Sequence, residues 1–474
     1  MRKILIVFCV GLLVSGCEKV LQESPKQIAE ENFYNTEEEV IAAVNAIYPP
    51  LRKDLMANYI ATLECQSDWM YGRGSWAPLS EYQGLDDVNI TRVQGFWDGF
   101  YLTIRNANLV ILNAAEKEEF DVYVAEAKFL RAFAYFQLVQ NWGGVPLRTE
   151  TQMEEKDLAR SSEEEVYQLI ERDLVEASTL LPETAVLSGR PTRWAAKTLL
   201  ADVLMVMGRY AEAAEQANEV IQSGFSLVSV GSVTDFQYNV FGPDILTSSE
   251  EIFALKFARL PSQGNYILWI SNHPSTKLFT PDGTGAYAVH GDAANPNYIN
   301  WDDQDIRKQL WDQIDFGSGP STLVSSKYID PEALNSETAG NDLPIYRLSD
   351  VLLIYAEASA RAENTVSAAA MEALNKVHRR AYGYAPSMPS EVDYIATDYT
   401  MDSFIDLVVQ ERGYEFIYEG KRWLELKRLG SMDELIAYGK GKTVAQKHLL
   451  WPIPISETNY NDAIDPVADQ NPGY

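Results

Sequence analysis

Positive charge is scarce in this 474-residue chain: 39 Lys and Arg stand against 68 Asp and Glu, a net charge of −29. No stripe of cations is present to neutralise phosphates, so nucleic-acid binding is excluded, and so is charge-driven attachment to anionic lipid. Histidine is nearly absent. The four present, His273, His290, His378 and His448, are too far apart for a local zinc motif such as HExxH. There is no P-loop and no GxSxG elbow. The acidic, amide-rich run at residues 291–305 lacks the ligand spacing of an EF-hand and reads as a polar loop, so neither metal nor cofactor is expected. The apolar run at residues 4–14 is 11 residues long, too short to span a bilayer. What is plentiful is ordinary globular material, 46% hydrophobic and 23% charged, which excludes wholesale disorder.

The short apolar run follows Arg2 and Lys3 and ends in Leu13-Val14-Ser15-Gly16-Cys17. That is the anatomy of a secretory signal, and its last five residues look like a bacterial lipobox. Residues 1–16 are then a cleaved signal peptide. Acyl chains on Cys17 anchor the protein to the membrane, and residues 17–35 form the anchor and tether. Cysteine is correspondingly few. Cys9 leaves with the signal and Cys17 carries lipid, so only Cys65 remains, as a small core residue without a disulfide partner.

Residues 36–474 read as a single, mainly α domain. Thr36 with Glu39 resembles a capping box, and Val40, Ala43, Val44 and Ile47 share one helix face. A loop is expected over residues 56–92 and a helix over 93–115. Phe129, Phe133 and Phe136 stripe a further helix over 123–141, and another runs over 163–181. Residues 191–224 form a helix pair hinged at Met207-Gly208-Arg209, with Ala201 and Ala213 twelve apart. Residues 345–381 repeat the pattern with Ala356 and Ala368. This is the tetratricopeptide layout, about four hairpins in all, divided between residues 36–224 and 343–430. Between them, residues 225–342 are a loop-rich insertion with short strands, too long for a hairpin loop. One helix is expected over 401–428, then an extended tail over 431–474. Glu411, Glu415 and Glu419 make a carboxylate row whose expected role is salt bridging, with Arg347, Glu357, Arg412 and Arg422 read the same way.

Five stretches carry a family resemblance: EAKFLRAFAYFQLVQNWGGVPL, IYRLSDVLLIYAEA, ERGYEFIYEGKRWLELKRLG, and the closing WPIP and QNPGY. In this order, behind a lipobox, the chain resembles the SusD/RagB outer-membrane lipoproteins over nearly its whole mature length. The resemblance implies a surface lipoprotein of the outer membrane, facing the cell exterior. It would bind oligosaccharide or polysaccharide without cleaving it and deliver it to a SusC-like TonB-dependent transporter. It implies no binding residue by position, because members differ most in their loops.

The candidate ligand residues come from the residues themselves. DWMYGRGSW, residues 68–76, places Trp69, Tyr71 and Trp76 beside Gly72 and Gly74, with Tyr82 close behind; the glycines are expected to limit burial of the rings. The insertion adds Tyr287, Tyr298 and Trp301. Aromatic faces complement the C–H face of a sugar ring, and Asp68, Arg73, Asn295 and Asn297 complement its hydroxyls. Two alternatives stay open at this point. One is a helical glycoside hydrolase using carboxylates among Asp68, Glu81, Asp86, Asp87 and Asp98. The other is a tetratricopeptide assembly lipoprotein that binds peptides.

Overall fold

The computed structural model describes residues 33–52, 54–278, 288–315 and 317–474. The expected signal peptide, Cys17, most of the expected tether and Tyr287 lie outside the described residues. Helix α1, Glu37–Asn45, opens with the expected capping box: Thr36 accepts from the Glu39 N–H, and the Glu39 carboxylate accepts from the Thr36 N–H at 3.0 Å. Its buried stripe is Val40, Ala43 and Val44, and Ile47 just beyond it is buried too.

Helix α2, Leu55–Gln66, stands where a loop was expected. It is buried on nearly every side, from Met56 to Gln66, so it shows no apolar stripe against a polar face for periodicity to reveal. Helices α3 (Asp87–Ala114), α4 (Asp121–Trp142), α5 (Glu163–Leu180), α6 (Arg193–Val206) and α7 (Tyr210–Ile221) follow, each packed on the next. Asp86 caps α3, and a Ser162–Glu165 capping box opens α5. Gly208, at φ +72°, makes the left-handed hinge between α6 and α7.

The second half of the scaffold begins with α8 (Leu348–Glu363) and α9 (Ala368–Ala381), and α7 packs directly on α8. The two hairpins therefore adjoin across the insertion. Ala201, Ala213 and Ala356 are buried where helices approach. Ala368 is exposed at its helix start, and Ala370 is the buried alanine there.

The helix expected over 401–428 is two helices, α10 (Met401–Glu415) and α11 (Arg422–Leu429), followed by α12 (Met432–Lys440). Between α10 and α11 the chain turns through two left-handed residues, Tyr418 at φ +61° and Gly420 at φ +71°. The carbonyls released at the end of α10 are taken by buried cations. Lys327 Nζ lies 3.3 Å from the Glu415 oxygen and 2.8 Å from that of Ile417, and Arg347 Nη2 is 3.0 Å from the Glu415 oxygen.

The insertion is bracketed by an antiparallel pair, β2 (Glu251–Leu255) on β6 (Leu343–Arg347). A second sheet has the order β1-β3-β5-β4, made of Tyr71–Gly72, Val289–Asp292, Thr322–Ser325 and Trp311–Gln313. The predicted carboxylate row holds this layer on the helices. Arg307 pairs with Glu411 at 2.7 Å and with Glu415 at 2.9 Å. Lys327 meets Glu419 at 2.6 Å, Arg347 bonds Glu415 and Glu419, and Arg380 bonds Glu250 and Glu415. Burial pushes the Glu415 carboxyl up, but Arg380, Arg347 and Arg307 outweigh it and hold it well below the carboxylate range. Such a network specifies how the two layers seat on each other more than it adds net stability.

The tail then returns to α4. Trp142 Nε1 donates to the Pro452 oxygen at 2.9 Å, the Trp451 N–H donates to the Asn141 oxygen at 2.7 Å, and Asn471 Nδ2 donates to the Trp142 oxygen at 2.9 Å. Among the described residues no helix is long and apolar enough to cross a membrane.

Candidate functional site

After α2 the chain turns on Ser67, whose hydroxyl donates to the Glu64 oxygen and accepts from the Trp69 and Met70 N–H groups. Asp68 follows, fully buried, and receives a two-pronged Arg422: Nε to Oδ1 and Nη2 to Oδ2, both 2.8 Å. Its backbone oxygen accepts from Asn295 Nδ2 at 2.9 Å, and Asn297 Nδ2 lies 3.4 Å away. Gly439 sits so close that a Cβ there would be 2.3 Å from the same oxygen. Three distant segments thus close on one aspartate. β1 completes the junction by pairing with β3, Tyr71 opposite His290 and Gly72 opposite Val289. The two aromatic loop regions read from the sequence are brought together.

Trp69 meets the edge of two stacked rings. Trp301 and Tyr414 lie face to face with centroids 4.4 Å apart and planes 8° apart, and Trp69 stands nearly perpendicular to both, at 5.5 and 5.7 Å. Trp69 and Tyr414 form one wall of an open cleft of about 880 Å³. Asn297, Tyr394, Tyr399 and Tyr438 also line it. From α10 come Asp402, Asp406 and Gln410, at i, i+4 and i+8 on one helix face, and the next step of that row is Tyr414. Gln410 Nε2 donates to the Tyr414 hydroxyl at 2.8 Å. The row covers about 18 Å of helix, the reach of a short oligosaccharide. Tyr438 is 51% exposed, its hydroxyl accepting from Asn300 at 2.7 Å. A separate cavity of about 80 Å³ lies inside the scaffold beside Tyr59, Phe133 and Arg428, too small for a saccharide.

The residues singled out from the sequence divide into three groups. Asn297 and Trp69 line the cleft, but Trp69 is only 6% exposed, so it backs the wall and its expected ligand contact is corrected too. Tyr71, Arg73 and Tyr298 are outside it but accessible. Tyr71 lies near-parallel to His290 at 6.0 Å with Lys440 Nζ 5.1 Å from its ring, and Lys308 Nζ is 4.9 Å from the Tyr298 ring. Asp68, Trp76, Tyr82, Asn295 and Trp301 are interior, which corrects their expected ligand contact. Asp68 and Asn295 are spent on the loop junction. The Arg92 guanidinium lies 3.6 Å from the Trp76 ring centroid, the Tyr82 hydroxyl donates to the Gln66 oxygen, and Trp301 Nε1 donates to Asp305 at 2.8 Å.

The glycines act opposite to expectation. A Cβ on Gly72 would lie 2.3 Å from the Trp76 oxygen, so its absence lets the loop fold tightly over Trp76 rather than keeping the ring out. The sequence reading also missed Tyr394, Tyr399, Tyr414 and Tyr438. The density of Tyr382, Tyr384, Tyr394 and Tyr399 in one short stretch was the available signal.

The carboxylates of the hydrolase alternative do unrelated work. Asp68 is bound by Arg422, Glu81 pairs with Lys442, Asp86 caps α3, Asp87 is exposed in its first turn, and Asp98 borders another hollow with Tyr101 and Arg148.

Comparison with known proteins agrees with this architecture. Residues 19–205 match the SusD-like family described as starch-binding associating with outer membrane, and residues 294–474 match the SusD family. SusD-like protein P2 of Formosa agariphila is 27% identical, the match covering 100% of both chains. A SusD homolog from Bacteroides thetaiotaomicron superposes with TM-score 0.78 at 22% identity, over 94% of this chain and 98% of that one. Surface glycan-binding protein A of the same species, solved in complex with laminarihexaose, superposes with TM-score 0.72 at 21% identity, over 92% and 99%. The two family models take in the first and last parts of the chain, and the solved structures superpose on nearly all of it: the chain belongs to the SusD/RagB family.

Proposed function

We propose that this protein is an outer-membrane lipoprotein, anchored through Cys17 and facing the cell exterior. It captures oligosaccharide or polysaccharide without cleaving it and passes it to a SusC-like TonB-dependent transporter. The observation that carries the reading is the open cleft, where the part-exposed ring of Tyr414, backed by Trp69, and the exposed ring of Tyr438 adjoin the hydrogen-bonding groups of Asn297, Asp406 and Gln410. A sugar presents that same alternation of apolar face and hydroxyl fringe. Glycan binding in structural neighbours supports it, one of them a laminarin-binding SusD-like protein. Asp68 and Trp301 serve from behind the wall, holding Trp69 and Tyr414 in place.

Calorimetry and affinity electrophoresis against a glycan panel test the reading. Tyr438→Ala, at an exposed ring, and Tyr414→Ala are expected to weaken the bound glycan roughly tenfold each with no turnover. Full affinity in both variants would remove the cleft from the site. Released reducing ends would replace capture with hydrolysis.

A further inference from the structure

The charges around the cleft point to a class of glycan, an inference that rests on the capture reading above. Five charged side chains line it: Asp402, Asp406, Glu434, Arg361 and Arg422. Arg422 is fully committed elsewhere, and Arg361 is committed through one nitrogen. Arg361 Nε donates to Glu357 at 2.8 Å, and Arg422 is held by both oxygens of Asp68, by Glu425 at 3.1 Å and by the Val409 oxygen at 2.8 Å. The three carboxylates are exposed, and none makes an ion pair or side-chain hydrogen bond among the described residues. A carboxylate only accepts hydrogen bonds, and each sugar hydroxyl can donate one. A uronate or sulfate ester needs the opposite: a free cation, in the fork geometry that arginine supplies. In this cleft it would meet three unpaired like charges, while the charge of Arg422 is paired with Asp68 and Glu425 and that of Arg361 with Glu357.

We infer that the cleft selects hydroxyl-rich glycans lacking acidic substituents and rejects uronate-bearing and sulfated ones. Asp402 and Asp406 act as acceptors for successive sugar hydroxyls along α10, with Glu434 facing them from α12.

The test pairs one backbone in two charge states. A neutral β-glucan and a neutral β-mannan are compared with their partially carboxymethylated derivatives, by calorimetry on the mature chain, beside alginate and carrageenan. The carboxymethylated form of whichever backbone binds is expected to bind roughly tenfold more weakly at low ionic strength, the gap narrowing towards about 0.5 M salt. The triple variant Asp402→Asn, Asp406→Asn, Glu434→Gln should close the gap. A control that removes as many charges at the far end of α3, Glu116→Gln, Glu118→Gln, Glu119→Gln, should leave it open, which separates the cleft from net charge. Equal or tighter binding of the acidic form, or a gap that survives the triple variant, overturns the inference and leaves glycan capture standing. Failure of every glycan to bind sinks capture itself, and this inference with it.

Discussion

Replacing Asp68 by Asn isolates what the buried junction contributes. The substitution keeps the shape and removes one charge from a pair in which both partners are under one-tenth exposed. Arg422 cannot shed its proton to compensate: burial disfavours its charge, but Asp68 and Glu425 outweigh that and hold it above its ordinary range. With the Asp68 charge gone, the guanidinium keeps Glu425 as its ion partner, beside the Val409 oxygen and one neutral amide oxygen. Orphaning one member of a buried pair costs about 3–5 kcal/mol, and the residual Glu425 contact sets the expectation at the lower end, about 3 kcal/mol. For a chain of this length that is a Tm loss of about 3–4 °C. Arg422→Gln alone should cost a similar amount, and the double variant Asp68→Asn, Arg422→Gln less than the sum. Urea denaturation of all four proteins yields the coupling directly, expected to exceed about 1.5 kcal/mol. A cost below about 1 kcal/mol in Asp68→Asn, with coupling near zero, would refute the reasoning. The loop would then be held by Asn295 and Asn297 alone.

Two further outcomes follow from the same packing. Glu64 is buried, accepts the Gly420 N–H at 2.9 Å, and burial lifts its pKa to about 7. The folded state therefore holds a proton that the unfolded chain has released between about pH 4.5 and 7, and stability falls as pH rises through that window. Glu64→Gln keeps an acceptor and cannot ionise. It should gain about 1–3 kcal/mol above pH 7 and nothing below pH 4.5, and a pH-independent difference in Cm would contradict this. Gly439→Ala would drive a methyl to 2.3 Å from the Asp68 oxygen and should cost about 1–3 kcal/mol, whereas Gly95→Ala, with open space around it in α3, should gain about 0.5–1 kcal/mol. Equal melting temperatures for these two variants would count against the close approach of α12 to the loop.

Much of the scaffold was legible because its signals are local. The capping box at Thr36, the hinge at Gly208 and the small residues at Ala201 and Ala213 were signals of this kind. The row Glu411, Glu415, Glu419 was readable as salt bridging because no histidine lies near it in sequence, although His378 of α9 meets Glu411 at 3.2 Å in the fold. Its partners were not readable: Arg307 and Lys327 arrive from the insertion, about a hundred residues away. Helix α2 was missed because burial on all sides erases periodicity, and the break after Glu415 because it depends on cations reaching in from elsewhere. At the cleft the same limit applies. Trp69 was found by its ring, but whether a ring faces solvent is decided by what crosses it. Trp301 is covered by Tyr414, and Trp76 by the fold of its own loop. Tyr414 was hidden inside a motif already given a structural explanation.

The returning tail has a consequence for the order of assembly. Helix α4 leaves Trp142 with an indole N–H whose partner, the Pro452 oxygen, lies more than three hundred residues downstream, and with a carbonyl shared between nearby Arg160 and Asn471 of the tail. Until those residues are made, the first half of the helical scaffold has an open seam with a large indole along it. An early stop codon or a single protease cut before Trp451 would therefore undo the oldest part of the molecule, not merely trim the newest.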